Sequence, residues 1–141
     1  MIRFFVPGIP KSTQTGSVIW VNGRAIPSRR NTGADITKHL DWTGWCRLHG
    51  MSNRPYTPLT GPLGAMFTVR MPRPKKPGVH GEWAMSGPDA ENVLKAPKDA
   101  WQDVLYLDDK QILVEVLRKG YERVGEGPGL EVKVWELQRP V

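Results

Sequence analysis

Short apolar runs, most of them bounded by glycine or proline, predict the strands of this chain. The first, IRFFV, ends at Pro7 and Gly8, and we expect it to be a strand buried on both faces. Asn22-Gly23, between SVIWV and RAI, is typical of a tight hairpin turn. Three later runs predict further strands: LGAMFTVRM (63–71), QILVEVLRKGY (111–121) and GLEVKVWEL (129–137).

Two segments repeat apolar residues at intervals of three and four, which is the spacing of a helix face. The first is capped by Asp35 and continues to about Leu48. The second begins after Asp89, a good N-cap residue, and continues over residues 90–102, where Pro97 is expected to kink the axis. The element order predicts an α+β fold, with a mixed sheet of about four strands covered by two helices in a single domain over residues 1–141.

Charge is unevenly distributed along the chain. The net charge is +6, but residues 1–80 hold twelve Lys or Arg against two Asp, whereas residues 81–141 hold eight against twelve Asp or Glu. A basic surface beside an acidic cluster suits a metal-dependent nuclease, because lysine and arginine bind phosphates and carboxylates bind the cation. A solvated surface with no such role has the same composition, so charge alone leaves both interpretations open.

Several classes of protein are disfavoured by the composition. No apolar run reaches 18 residues, and the N-terminus reaches Pro7 too soon for a signal peptide, so we expect a cytoplasmic protein with no membrane partner. Cys46 is the one cysteine, which excludes a disulfide framework and makes a thiolate zinc site unexpected. A small-molecule cofactor is not expected either.

Two groups of cationic residues lie in segments rich in proline, glycine and serine. One group follows the first strand, and the other lies in PRPKKPG, where prolines hold the chain extended. Cations with no acid between them favour a polyanion, so DNA phosphate contacts are predicted, with simple solubility as the alternative. The candidates are Lys11, Arg24, Arg29, Arg30, Arg73, Lys75 and Lys76.

The acids gather between Pro88 and Ile112, which hold six carboxylates between them. Asp89 and Glu91 point the same way if the segment is extended or if Asp89 caps the helix, and Glu91 and Lys95 share one face of the first turn. Two converging carboxylates repel each other unless a cation lies between them, and Mg²⁺ prefers oxygen ligands. The alternative is an ordinary helix start, at which carboxylates favour the macrodipole.

The acid pair Asp108-Asp109 is predicted to complete the site. In extended chain, adjacent residues face opposite sides, so one of the two is expected to reach a metal, and Asp109 is our choice. A helix over residues 90–102 is about 20 Å long, so Asp109 must return along it or come from a partner chain. Asp99 and Asp103 are expected only to be solvated.

PDAENVLKAPKDAW followed by YLDDKQI resembles the RusA family of Holliday junction resolvases. The family core reads Asp-x-Asp-Asn-x-x-Lys, then a helix with Asp-Ala, then an Asp-Asp pair before Gln, and weaker similarity covers nearly the whole chain. The resemblance implies that Asp89, Glu91 and Asp109 are metal-binding catalytic acids. It also implies that Lys95 lies beside the scissile phosphate, that Asn92 supports the acids and that Asp108 is a helper.

The resemblance further implies a RusA-like fold and a Mg²⁺-dependent endodeoxyribonuclease, with Mn²⁺ as a substitute ion. Such an enzyme acts as a homodimer that makes paired cuts in four-way DNA junctions, in a bacterial or phage-infected cell. Two departures from the family pattern are Glu91, which replaces an aspartate, and Pro97 within the helix. A junction-binding protein of the same fold that has lost cleavage, and a nuclease for other branched DNA, are the alternatives.

Overall fold

The fold was analysed in a computed structural model that describes residues 1–12, 18–27, 33–76, 78 and 81–139; for residues 18–21, 24–27 and 33–41 it describes the backbone alone. It confirms the predicted α+β class. The elements in chain order are β1 (Ile2–Pro7), β2 (Val18–Val21), β3 (Arg24–Pro27), α1 (Gly33–Ser52), β4 (Leu63–Met71), α2 (Ala90–Ala100), β5 (Ile112–Tyr121) and β6 (Gly129–Glu136).

A mixed sheet of four strands in the order β1-β6-β4-β5 forms the centre of the fold. β4 and β5 are parallel, and the other neighbours are antiparallel. Parallel strands need a long crossover, and here it contains α2. β2 and β3 form a separate hairpin whose turn residues, Asn22 and Gly23, have the positive φ angles of 51° and 75° that this turn requires. The predicted hairpin is therefore confirmed.

One face of the sheet forms the core. Phe4, Val132 and Phe67 are opposite one another on β1, β6 and β4, and all three are buried. Trp101, which follows α2, is fully buried; its ring stacks on Phe67 at 6.1 Å and meets Phe4 edge-on at 5.7 Å. Because side chains alternate across a strand, the opposite face carries polar residues such as Arg70 and Glu131, whose side chains lie 3.2 Å apart.

Trp101 also joins the two helices. Its indole N–H donates to the carbonyl of Cys46 in α1 at 2.8 Å, so a buried donor is satisfied without water. The indole packs so closely on α1 that a Cβ at Gly50 would overlap it. α1 and α2 therefore meet over one large aromatic side chain, and this contact fixes where α2 ends.

The structure corrects several details of the predicted elements. β1 is an edge strand that alternates between buried Phe4 and Val6 and more exposed neighbours, so it is not buried on both faces. α1 begins at Gly33, before Asp35, and ends at Ser52. α2 continues through Pro97, whose side chain is buried, but ends at Ala100 rather than 102, because the chain turns at the buried Trp101.

Among the described residues, no helix is long and apolar enough to cross a bilayer.

Replacing Trp101 by alanine is expected to destabilise the fold by about 3–5 kcal/mol, because a large buried ring and its hydrogen bond are both lost. Urea unfolding followed by circular dichroism measures this difference. Trp83→Ala is the matched control: Trp83 is 76% exposed, so its loss should change the unfolding free energy by less than about 0.5 kcal/mol. Equal effects of the two substitutions would contradict the packing described here.

Candidate active site

The first turn of α2 carries the motif acids. Asp89 is the N-cap, as predicted: its backbone is extended, with φ −66° and ψ 135°, and its Oδ1 accepts a hydrogen bond from the Glu91 N–H at 2.9 Å. Asp89, Glu91 and Lys95 are exposed, and Asn92 is half-buried. This turn therefore presents two carboxylates and one ammonium to solvent, with the Asp89 carboxylate oriented by its capping bond.

The start of α2 lies at the carboxyl ends of the two parallel strands. The Lys119 ammonium on β5 donates to the Ser86 carbonyl at 2.8 Å. A Cβ at Gly87, which has a φ of +84°, would lie 3.7 Å from Met71 Cε at the end of β4. Since α2 returns antiparallel to β5, its last turn must lie at the opposite end of the sheet, where β5 begins.

Asp108 and Asp109 lie at that opposite end: Asp108 has the extended backbone that was predicted and is the N-cap of a 3₁₀ turn (Asp109–Gln111), whereas Asp109 belongs to that turn. Asp108 caps the turn by accepting from the Lys110 N–H at 2.9 Å, and this bond lowers the pKa of Asp108. Partial burial raises the pKa of Asp109, as do its hydrogen bond with Asp108 and the charges of Asp99 and Asp108, while Lys98 lowers it. Asp109 therefore has an acidic environment.

Asp99, in the last turn of α2, was expected only to be solvated. It is exposed, but it lies close enough to Asp109 to raise the pKa of that carboxyl group. Tyr106 lies between α2 and the acid pair: its hydroxyl donates to the Lys98 carbonyl at 2.7 Å, and burial, then Asp109 and Asp99, raise its pKa. The ten-residue spacing between Asp99 and Asp109 indicates that the two are neighbours only once it is known that the chain after α2 stays close to the last turn of the helix.

The predicted acids therefore form two groups rather than one. Asp89 and Glu91 lie at the start of α2, and Asp109 lies with Asp99 and Asp108 near its end. α2 has eleven residues, which corresponds to about 16 Å between the two groups along the helix axis. Within the part of the chain that the structure describes, no three His, Cys, Asp or Glu side chains are grouped so that they could hold a metal ion.

The predicted DNA-binding cations have different environments. Arg73 is held within the chain, by both carboxylate oxygens of Glu82 at 3.0 and 2.7 Å and by the Glu122 carbonyl at 3.2 Å. Lys11, Lys75 and Lys76 are exposed. The Arg24 side chain, and Arg29 and Arg30 as a whole, lie outside the described residues.

β5 is the edge strand of the sheet on the side nearest α2. Three of its apolar side chains are well exposed: Leu113 at 66%, Val116 at 38% and Leu117 at 37%. Two of its three charged residues contact the α2 region, since Glu115 binds Lys98 at 3.0 Å and Lys119 binds Ser86, whereas Arg118 is exposed. An apolar edge with unpaired backbone groups is a template for pairing with another strand.

Comparison with known proteins now gives the family. The model of the family described as Endodeoxyribonuclease RusA matches residues 22–135, which include both acidic groups, α2 and β5. The chain belongs to the RusA family. It is also similar to the uncharacterized protein YqaN of Bacillus subtilis (strain 168), with 33% identity over 149 aligned positions that cover 96% of each chain.

RusA membership confirms the fold class and implies an endodeoxyribonuclease. The roles of individual residues are not settled by this membership, so they remain predictions, as does the identity of the ion. What the geometry adds is a constraint on any RusA mechanism in this chain: the two acidic groups are too far apart to share one ion within a single chain.

Proposed function

We propose that this protein is a Mg²⁺-dependent endodeoxyribonuclease that resolves four-way DNA junctions as a homodimer, in the cytoplasm of a bacterial or phage-infected cell. The observation that carries the proposal is the exposed group Asp89, Glu91 and Lys95 on the first turn of α2, in a chain of the RusA family. Carboxylates with a neighbouring ammonium match the needs of metal-assisted phosphodiester hydrolysis.

The dimer forms through β5, in which the two copies of the strand pair antiparallel about a twofold axis. An axis at Leu117 would place Glu115 opposite the partner's Lys119 and Leu113 opposite the partner's Tyr121. This register places opposite charges across from each other, in addition to their contacts with Lys98 and Ser86, and it buries the exposed leucines. Both kinds of cross-strand pair are stabilising. Registers centred on Glu115 or Arg118 would place like charges opposite each other, so they are disfavoured.

This pairing would complete the active site between chains. The amino end of β5, which follows Asp109, would lie beside the carboxyl end of the partner's β5, where Lys119 holds Ser86 ahead of Asp89. Asp109 of one chain would then approach Asp89 and Glu91 of the other. The separation of about 16 Å along α2 keeps these acids apart within one chain, which supports a site shared between chains, and twofold symmetry then gives two sites per dimer.

Asp89, Glu91 and the partner's Asp109 would hold Mg²⁺, since all three offer the carboxylate oxygens that this ion prefers. When bound, Mg²⁺ supplies charge that activates water and stabilises the phosphate. Lys95 offsets negative charge on the scissile phosphate, and Asn92 orients the acids. The capping bond from the Glu91 N–H keeps the Asp89 carboxylate in one orientation, so the ligand is preorganised before the ion binds.

DNA would reach the site across the cationic segment before α2. Lys75 and Lys76 are exposed there and are free of the ion pair that holds Arg73, so we assign them phosphate contacts, with Lys11, Arg24, Arg29, Arg30 and Arg73 as further candidates. Two equivalent sites related by a twofold axis suit a four-way junction, in which two equivalent strands must be cut.

Cleavage of a labelled four-way junction in the presence of Mg²⁺ is expected to require each of the three acids. Asp89→Asn, Glu91→Gln and Asp109→Asn should each lower the rate by about 100-fold or more, because each removes a charged ligand worth several kcal/mol. Glu91→Asp, which restores the family residue, should retain cleavage. Glu126→Gln in the loop before β6 is the control.

The same assay separates the alternatives. Junction binding without cleavage in either Mg²⁺ or Mn²⁺ would overturn the enzyme and leave a DNA-binding protein. Faster cleavage of flaps than of junctions, in competition, would instead identify a nuclease for other branched DNA.

Mixed dimers test whether the site is shared. A heterodimer of one Asp89→Asn chain and one Asp109→Asn chain, purified through two different tags, is expected to cleave at about half the parent rate per dimer, because one of its two equivalent sites is intact. Both homodimers should be inactive. If each site were built within one chain, every site of the heterodimer would carry one substitution, and inactive heterodimers would therefore contradict the shared site.

The assigned phosphate contacts predict a specific salt dependence. Replacing both Lys75 and Lys76 by alanine is expected to weaken junction binding in chelator and to lower the slope of log K against log salt concentration by about two, since each phosphate contact contributes about 0.9. Lys133→Ala is the matched control, because Lys133 already lies 3.7 Å from Glu131 on the far side of the sheet. Unchanged slopes for both proteins would remove Lys75 and Lys76 from the DNA interface.

A further inference from the structure

Gln111, at the end of the acid turn, has an unusually complete set of hydrogen bonds. Its Oε1 accepts from the backbone N–H groups of Leu107 and Asp108, both at 2.8 Å. Its Nε2 donates to the carbonyls of Leu59 and Gly61, both at 2.9 Å. A carboxamide has two donors and two acceptor positions, so every one of them is used.

Two of these four bonds tie the acid turn to a segment about fifty residues away in sequence. Leu59 and Gly61 directly precede β4, and the Leu59 N–H donates in turn to the Leu105 carbonyl at 2.9 Å. The Gln111 N–H closes the turn on the Asp108 carbonyl at 3.1 Å. The turn is therefore held by hydrogen bonds within itself and by hydrogen bonds to the segment before β4. Asp109 lies between Asp108 and Gln111, the two residues that make these bonds.

The two acids of the turn have different roles as a result. Asp108 accepts from the Lys110 N–H, so its carboxylate caps the turn. Among the described residues, no backbone N–H donates to the Asp109 carboxyl group, which lies near Asp99 and Asp108 instead. Three carboxylates repel one another when no cation is present, so a flexible turn would carry Asp109 away from the others.

We propose that Gln111 is a positioning residue for Asp109: its amide clamps the turn so that the Asp109 carboxylate stays where a divalent cation can bind. This inference rests on the proposed function, in which Asp109 is a metal ligand. Only a carboxamide of this length fits the site. Glutamate would direct a negative oxygen at two carbonyls, and asparagine is too short to bond both the turn and the segment before β4.

The test is Mn²⁺ binding to the dimer without DNA, measured by electron paramagnetic resonance, in the parent and in Gln111→Glu. Mn²⁺ is expected to bind about 10–100-fold more weakly to the variant, which is the usual effect of losing a partner that orients a ligand. Gln138→Glu is the matched control, since it makes the same change of charge at an exposed residue that follows β6. Parent-like affinity in folded Gln111→Glu would overturn the inference.

If Gln111 had a purely structural role, its substitution would lower thermal stability and DNA binding in chelator together. If Gln111 positions Asp109, Mn²⁺ affinity falls while junction binding in chelator stays close to that of the parent. If Gln111→Glu does not fold, Gln111→Asn gives the same reading. Asp109→Asn separates the two proposals. If Mn²⁺ affinity is unchanged in Asp109→Asn, the proposed function is wrong. If Mn²⁺ affinity falls in Asp109→Asn but not in Gln111→Glu, only the inference about Gln111 is wrong.

Discussion

The direction of α2 is the constraint on which the site depends. β4 and β5 are parallel, so the chain must cross from one end of the sheet to the other between them, and α2 makes most of that return. Asp89 and Glu91 belong to its start, and Asp99 and the turn at Asp109 belong to its end. Burial of Trp101 against Phe67 and α1 fixes where the helix stops. The core thus determines the separation of the acids.

The carboxylates at the end of α2 are held close together although they repel one another. Burial and the neighbouring carboxylates raise the pKa of Asp109, which means that its charged form is disfavoured there compared with water. Lys98 offsets part of this repulsion, but Lys98 is itself bound to Glu115. The four hydrogen bonds of Gln111 hold the turn in place although its charges repel. A bound cation would attract these carboxylates and so replace the repulsion between them.

Most of the fold could be predicted from the sequence because its signals are local. Asn22-Gly23 requires a tight turn, Asp89 is a strong cap, and the apolar runs coincide with β4, β5 and β6. Burial of β1 on one face only could not be predicted, because IRFFV has the same pattern at the edge or centre of a sheet. The 3₁₀ turn at Asp109 was also missed, although Asp108 and Gln111 have the spacing of a capping box, which is a local signal for the start of such a turn.

The candidate site was predictable in its residues but not in its arrangement. Motif spacing identifies Asp89, Glu91 and Asp109, yet spacing along a chain carries no information about which end of a helix a later residue returns to. The same limit applies to the sheet edge. In QILVEVLRKGY, Glu115 and Lys119 look like charges that protect an edge from pairing, but both are turned towards the α2 region and bound there. Arg118 and the apolar side chains of Leu113, Val116 and Leu117 remain exposed along the edge. Antiparallel pairing with a second β5, as proposed above, would cover these apolar side chains and bring the separated acids together.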